Sequence, residues 1–288
     1  MSDINLNYGT LYICPTPIGN LEDITLRTIK TLKEVNIIAA EDTRHTKKLL
    51  NHFEISTPLI SYHEHNKDKK NEEIIEILKR GENIALVSDA GMPAISDPGE
   101  ELVKLAINEQ IRIIPLPGAN AALTALIASG LTNSPFTFIG FLPKTTKKRQ
   151  QMLNLFKEYN HVLIFYEAPH RLLETLNDML TILGDKQIII ARELTKKFEE
   201  FIRNQLSNIV NNFEEITCKG EFTIILNNEL DEAKQNQNKL STLEIAKEVN
   251  FLISQGKNKK DAIREVASKY NISRRIVYQA VIKIISTN

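Results

Sequence analysis

The sequence predicts two α/β domains followed by a small helical bundle, and three observations carry that expectation. Short apolar runs of strand length alternate with amphipathic helical stretches from residue 11 to residue 226. These runs end repeatedly in loops rich in Gly, Pro, Ser and Asp, the most crowded of which occupies residues 88–99. Beyond a polar, Gln- and Asn-rich stretch at 229–240 the pattern changes to helices alone, with a local excess of basic residues. The expected boundaries are 1–118 for the first α/β domain, 119–228 for the second, 229–240 for a linker and 241–288 for a basic, helix-turn-helix-like bundle.

Residues 11–14 read as a buried strand, 15–20 as a loop, and 24–35 as a helix with Leu26, Ile29 and Leu32 on one face and Asp23 as its cap. The loop Pro15-Thr16-Pro17-Ile18-Gly19-Asn20 has one glycine and is no dinucleotide fingerprint; the G-x-x-x-x-G-K-[ST] phosphate loop is absent from the chain. A second strand at 37–40 ends in Glu41-Asp42-Thr43-Arg44, ahead of a helix at 47–53. Capping by Asp42 or Thr43 accounts for one of these residues, whereas two acids and an arginine at a strand tip point to the mouth of a site. A third strand at 59–62 is followed by His63-Glu64-His65-Asn66. Two histidines two apart are a weak metal signal, because a metal needs further ligands, so a hydrogen-bonded turn is expected and no metal is assigned.

A helix at 68–79, ended by Gly81, precedes the strand 84–87 and the loop Ser88-Asp89-Ala90-Gly91-Met92-Pro93-Ala94-Ile95-Ser96-Asp97-Pro98-Gly99. Two aspartates, two glycines and two prolines exceed what a structural turn needs, and in a parallel sheet such loops lie where ligands bind. The helix that follows turns Leu102, Leu105 and Ala106 inward. The strand 111–116 enters Pro117-Gly118-Ala119-Asn120-Ala121-Ala122, whose small residues permit close approach of a ligand or of another backbone. The helix 121–129, closed by Gly130, aims its N-terminal amides at the same place.

In the second domain, strands at 136–141, 162–166, 188–191 and 222–226 alternate with helices near 148–157, 171–183 and 206–213. Its loops carry a run in which Lys144, Lys147, Lys148 and Arg149 come without an acid, which suits phosphate contact without demanding it. They also carry Tyr166-Glu167-Ala168-Pro169-His170-Arg171 and Ala191-Arg192-Glu193-Leu194-Thr195-Lys196-Lys197. In the bundle, Ser241-Thr242-Leu243-Glu244 matches a capping box, and a turn at 271–273 with Ser273 as cap leads to a helix bearing Arg274, Arg275 and Gln279.

Composition narrows the classes. With 288 residues, 42% hydrophobic, and zero formal net charge, the chain is no general nucleic-acid coat protein. The segment 241–288, however, holds nine Lys or Arg against four acids, which suits a polyanion. No apolar run reaches the roughly 20 residues of a membrane span and no signal peptide is recognisable, so a cytoplasmic location without membrane contact is expected. Cys14 and Cys218 are isolated and support neither a disulfide nor a cysteine metal site.

Taken in order, Thr16-Pro17-Ile18-Gly19-Asn20-Leu21, Glu41-Asp42-Thr43-Arg44, His63-Glu64-His65-Asn66, Ser88-Asp89-Ala90-Gly91 with Ser96-Asp97-Pro98-Gly99, Pro117-Gly118, Tyr166-Glu167-Ala168-Pro169-His170-Arg171 and Arg192-Glu193-Leu194-Thr195-Lys196 resemble the ribosomal RNA small subunit methyltransferase I family. That family lies within the tetrapyrrole methylase superfamily of S-adenosylmethionine enzymes, the class III methyltransferases. The resemblance covers residues 11–226 and is looser in the bundle. It implies two α/β domains of the tetrapyrrole methylase type with the methyl donor bent into the cleft between them. It further implies a homodimer and 2′-O-methylation of a cytidine (cytidine 1402) in the decoding region of 16S rRNA in the small ribosomal subunit.

Carried onto this sequence, the resemblance places S-adenosylmethionine against Pro17, Gly19, Asp89, Ala90, Gly91, Met92, Ala119, Asn120, Ala121, Tyr166 and Glu167. Relatives commonly have Thr, Ser and Glu where this chain has Met92, Asn120 and Lys67; in the superfamily the donor contacts near Met92 and Asn120 are largely made by main-chain atoms. Methyl transfer is an in-line displacement, so positioning supplies much of the acceleration and a base adds ~10²–10⁴-fold. Glu41, Asp42, Arg44, Glu167, His170, Glu193 and Lys196 are the catalytic candidates, with the identity of the base left open. Arg44, Lys147, Lys148, Arg149, Arg171, Arg192, Arg274 and Arg275 are the expected RNA contacts. In the 88–99 loop Asp89 is expected to be functional and Asp97 mainly structural. Two alternatives stay open: methylation of a tetrapyrrole-like small molecule, and a non-catalytic RNA-binding protein.

Overall fold

The computed structural model describes residues 7–131, 135–229, 242–270 and 274–285. The expected linker from residue 230 onward, the capping serine Ser241 and the Ser273 cap lie outside the described residues. The chain divides after Asn228 into two compact units.

The larger unit holds two five-stranded sheets. In the first, β1 (Thr10–Ile13), β2 (Ile37–Ala40), β3 (Leu59–Ser61), β4 (Ile84–Val87) and β5 (Arg112–Pro115) are all parallel, in the order β3-β2-β4-β1-β5. Both faces are covered, which is why these strands read as unbroken apolar runs. Leu11, Ala39, Ile84 and Leu86 point to one core with α3 (Lys67–Lys79) and α4 (Glu100–Asn108). Cys14, Ile38, Ala40, Ala85 and Val87 alternate to the other, with α1 (Leu26–Glu34) and α2 (Thr43–His52). Burial pushes the Cys14 thiol up to about 12, so it is a core residue and no nucleophile. Because β4 is central, flanked by β1 and β2, its following loop emerges beside those of both neighbours at the carboxyl edge.

The second sheet has the order β6-β7-β10-β8-β9, formed by β6 (Phe136–Phe141), β7 (Val162–Glu167), β8 (Gln187–Arg192), β9 (Glu200–Gln205) and β10 (Phe222–Asn227). Only β6 and β7 run parallel; the other pairs are antiparallel. Helix α5 (Ala121–Ser129) packs Ala122, Ala125 and Leu126 on one face, while α6 (Thr146–Phe156), α7 (Leu172–Leu183) and α8 (Leu206–Asn211) cover the other.

The structure corrects the sequence reading in three places. Strand β9 was not expected: Glu200-Phe201-Ile202-Arg203-Asn204-Gln205 is a polar edge strand with no alternating pattern, and only pairing with β8 reveals it. Thr25, whose side chain accepts from the Thr28 N–H, caps α1, and Asp23 belongs to a short 3₁₀ turn ahead of it. Helix α2 starts four residues early, because the Asp42 carboxylate caps it through the Arg44 N–H at 2.8 Å.

In the smaller unit, helices Thr242–Ser254, Lys259–Lys269 and Arg274–Ile285 bury Val249, Ile263, Val266, Val277 and Val281 among them. Asn258 caps the middle helix by accepting from the Asp261 N–H. Among the described residues no helix is long and apolar enough to cross a membrane.

Candidate active site

The loops at the carboxyl edge of the first sheet are tied to one another by main-chain hydrogen bonds. Thr16 and Gly91 form an antiparallel bridge, the Thr16 N–H donating to the Gly91 carbonyl at 2.9 Å and the Gly91 N–H donating back at 3.0 Å. Gly91 sits at φ +80°, a conformation that excludes most side chains, and this turn lets residues 88–92 run alongside the 15–20 loop. The Asp42 N–H donates to the Asp89 carboxylate at 3.0 Å, and the Asp89 main chain lowers the Glu41 pKa against the larger effect of burial. The β2 tip and the β4 loop therefore hold each other.

The second sheet closes onto the same place. The Asn20 N–H donates to the Thr195 hydroxyl at 3.1 Å, and a Cβ on Gly19 would collide with Thr195 Oγ1 and Lys196 Cγ. Lys196 Nζ reaches Glu193 at 2.8 Å and Glu221 at 3.3 Å. Burial opposes the Lys196 charge, but those carboxylates outweigh it and push its pKa up, so at neutral pH Lys196 is an ammonium and not a proton acceptor. Burial likewise opposes the Glu193 charge, yet Lys196 and the Glu221 N–H hold its carboxyl below the ordinary value.

Between the two sheets lies a cavity of about 400 Å³. Asp89, Ala90, Met92, Asn120, Ala121, Tyr166 and Glu167, all expected from sequence, line it, and so do Ile18, Glu41, Asp97, Phe141 and Glu221. Its character is apolar and acidic: no Lys or Arg lines it among the described residues. Burial first, then the carboxylates of Asp97 and Asp89, hold the Glu41 carboxyl above its ordinary value. Burial and Asp89 do the same to Asp97, outweighing the lowering influence of the nearby Ser88 side chain. Asp97, expected mainly to shape its loop, lies in the cavity wall as well. Tyr166 is fixed by edge contacts with Phe138 and Phe141 and accepts the Ala122 N–H at 3.2 Å. Asn120 caps α5 through the Leu123 N–H; Asn120 and Ala121 line the cavity, whereas the expected Ala119 and Gly91 are not in its lining.

A second cavity of about 520 Å³ adjoins the first and shares Ile18, Asp89, Ala90 and Glu221 with it. Pro17 and Gly19 belong to this one, together with His45, Thr46, Lys48 and Lys196.

The other candidates divide by how their polar groups are used. The Glu167 carboxylate is buried, accepts from Thr175 at 2.6 Å and from the Ala168 N–H at 2.8 Å, and lies 3.5 Å from Arg171. Arg171 donates to the carbonyls of Leu142 and Pro143, and Arg192 to Glu200 and the Lys219 carbonyl, so both are fastened within the second sheet's loops. The Arg44 guanidinium and N–H hold the Asp42 carboxyl well below the usual range. Arg44, His170, Lys147 and Lys148 are exposed, as are Arg274 and Arg275 in the smaller unit. Arg149 corrects the expectation of an RNA contact: it is 1% exposed and pairs with Asp178 at 2.5 Å, so it serves the core. The His63–Asn66 segment is a turn in which Asn66 accepts the His63 N–H and donates to Ser61. Among the described residues no three His, Cys, Asp or Glu are arranged to hold a metal.

Comparison with known proteins sets this geometry in a family. The family model described as Tetrapyrrole (Corrin/Porphyrin) Methylases matches residues 10–210. A protein of Halalkalibacterium halodurans named ribosomal RNA small subunit methyltransferase I is 54% identical, covering 94% of this chain and 93% of that protein. The protein of the same name from Bacillus subtilis is 52% identical, covering 94% of each. Among solved structures, a diphthine synthase superposes with a TM-score of 0.59 at 10% identity, over 76% of this chain and 90% of that one. A cobalt precorrin-4 methyltransferase gives 0.58 at 15% identity, over 75% and 94%. At such identities the likeness is one of fold.

Proposed function

The chain belongs to the ribosomal RNA small subunit methyltransferase I family within the tetrapyrrole methylases, and on that premise we propose that it transfers the methyl group of S-adenosylmethionine to the 2′-hydroxyl of a cytidine in the decoding region of 16S rRNA. The observation that carries the reading is the acid-walled cavity between the sheets. Its volume lies in the range of small-molecule sites. Glu41, Asp89 and Asp97 face it with no Lys or Arg in the lining among the described residues, which suits a ligand whose reactive sulfur is cationic. Asp89, Ala90, Met92, Asn120 and Ala121 bring polar main chain to its wall beside apolar surface from Ile18, Met92 and Phe141. When bound, the donor supplies an electrophilic methyl group.

The chain's own residues then have two tasks. Asp89, held against the Asp42 N–H, and Tyr166, held by Phe138 and Phe141, keep the cavity walls fixed so that the reacting atoms meet in line. The acceptor hydroxyl must lose a proton. Of the acidic candidates, Asp42 is engaged by Arg44, Glu167 by Thr175 and Arg171, and Glu193 by Lys196. Glu41 forms no ion pair among the described residues and its affinity for a proton is raised, which fits it to accept that proton. Arg44, beside it on α2, is free on its outer side for a phosphate.

The homodimer belongs to the same reading: Leu123 and Ile127 of α5 are 49% and 73% exposed on a helix that is apolar almost all round. Action on the small subunit implies a cytoplasmic location. The test is incubation with labelled S-adenosylmethionine and small ribosomal subunits from cells lacking the enzyme, followed by digestion to nucleosides. Label in the ribose of one cytidine supports the reading; label in a base, or in a small molecule alone, would overturn it.

A further inference from the structure

Helix α2 carries a basic face that the donor cavity does not use. From Thr43 to His52 it contains no acid, and its exposed side bears Arg44, Lys47 and Lys48 along with His45 and His52. Thr46, Leu49 and Leu50 form the buried side. His45, Thr46 and Lys48 extend into the second cavity's lining, where Lys196 also lies. The two adjoining cavities therefore differ in their cations: the first has no Lys or Arg among the described residues, while the second adds Lys48 and Lys196 to the Asp89 and Glu221 that both share.

A second, independent observation lies in the same wall. Thr46 is 2% exposed, yet its hydroxyl has no hydrogen-bond partner among the described residues. The neighbouring hydroxyls in that lining are engaged, Thr16 donating to the Ser88 carbonyl and Ser88 to the Gly91 carbonyl. Buried polar groups are ordinarily paired, so an idle hydroxyl in a cavity wall marks a place for a ligand.

We propose that the second cavity receives the acceptor nucleotide of a single-stranded RNA segment and that Lys47 and Lys48 neutralise the phosphates flanking it, an assignment that rests on the RNA-methylating reading above. The chemistry favours a single strand, because only an unpaired nucleotide can be splayed into a recess while its neighbours stay on a surface. Placement beside the walls shared with the donor cavity, Ile18, Asp89 and Ala90, brings the acceptor ribose next to the donor. The charge division keeps the flanking phosphates, and not the acceptor ribose at the shared wall, away from Asp97 and Glu41.

The test compares the full-length wild type with the double variant Lys47→Ala/Lys48→Ala and with Thr46→Val, using S-adenosylmethionine binding by calorimetry and methylation kinetics on small subunits at several salt concentrations. For the double variant the donor affinity is expected to stay within about twofold while KM for the RNA rises roughly tenfold. Its salt slope should fall by about 1.4, from about 0.7 per phosphate contact on a single strand. Thr46→Val, which removes the hydroxyl and keeps the shape, is expected to raise KM about threefold without lowering the melting temperature. Unchanged KM in both, or a weakened donor affinity in place of a raised KM, would overturn the assignment. A wild type that binds the donor but methylates no RNA would instead bring down the underlying reading, a result visible before any variant is made.

Discussion

Asp89 and Asp42 are joined by a hydrogen bond from the Asp42 N–H to the Asp89 carboxylate, 3.0 Å long. One residue of the β4 loop thus sets both the cavity wall and the conformation of the β2 tip. Asp89→Ala is expected to weaken donor binding at least tenfold in calorimetry. A hydrogen bond to a carboxylate is worth about 1.5 kcal/mol or more, and the Asp42 amide should exchange its hydrogen faster once its acceptor is gone.

The Glu41 and Asp97 carboxyls are held above their ordinary values, by burial first and by neighbouring carboxylates next. Folding therefore favours their protonated forms. The resulting stabilisation is complete below the unfolded carboxylate range near about pH 4 and is lost as pH rises through the raised folded values. Glu41→Gln and Asp97→Asn should each raise the melting temperature of the ligand-free protein at pH 7.5, with a smaller gain at pH 5. Glu41→Gln should also lower kcat by ~10²–10⁴-fold, as loss of a base does. Wild-type kcat should fall on acidification as Glu41 takes up its proton; a flat profile would remove Glu41 from that role.

Gly19 and Gly220 are approached by the side chains of Lys196 and Glu193 respectively, and a Cβ on either would strike them. At Gly19 φ is unstrained but the clash meets Lys196 Cγ, the Thr195 hydroxyl and the Leu194 carbonyl, so Gly19→Ala should lower stability and also disturb catalysis by moving Lys196. Gly220, at φ +89°, adds backbone strain. Gly220→Ala should lower the melting temperature more than Gly19→Ala, and paired thermal and kinetic measurements would separate the two.

Arg149 and Asp178 form a buried pair, their side chains 2% and 10% exposed. Removing one partner from such a pair costs about 3–5 kcal/mol. Arg149→Ala should lose stability on that scale in urea denaturation and leave RNA KM unchanged where protein is folded. Arg149→Met with Asp178→Leu should recover most of the loss, because no buried charge is then left alone.

Much of the architecture was written in local sequence. The parallel strands of the first sheet are buried on both faces and so are apolar throughout, and α5 announces both ends through Asn120 and Gly130. The polar edge strand β9 was illegible because its pairing partner, not its own pattern, makes it a strand. Of the site, Asp89, Met92, Asn120 and Tyr166 were legible as loop residues at strand ends, and the structure places them around one cavity.

What the sequence determined by itself was the set of loops that carry chemistry, since excess Gly, Pro and Asp at a strand end is a local property. The tertiary structure alone decided what each charged group has left to offer. Arg149 lies in a run of bases and is spent on Asp178, Lys196 is kept charged by Glu193 and Glu221, and Asp97 joins Glu41 and Asp89 around one cavity. Charge and burial act through space, and residues far apart in the chain meet only after the two sheets have closed on each other.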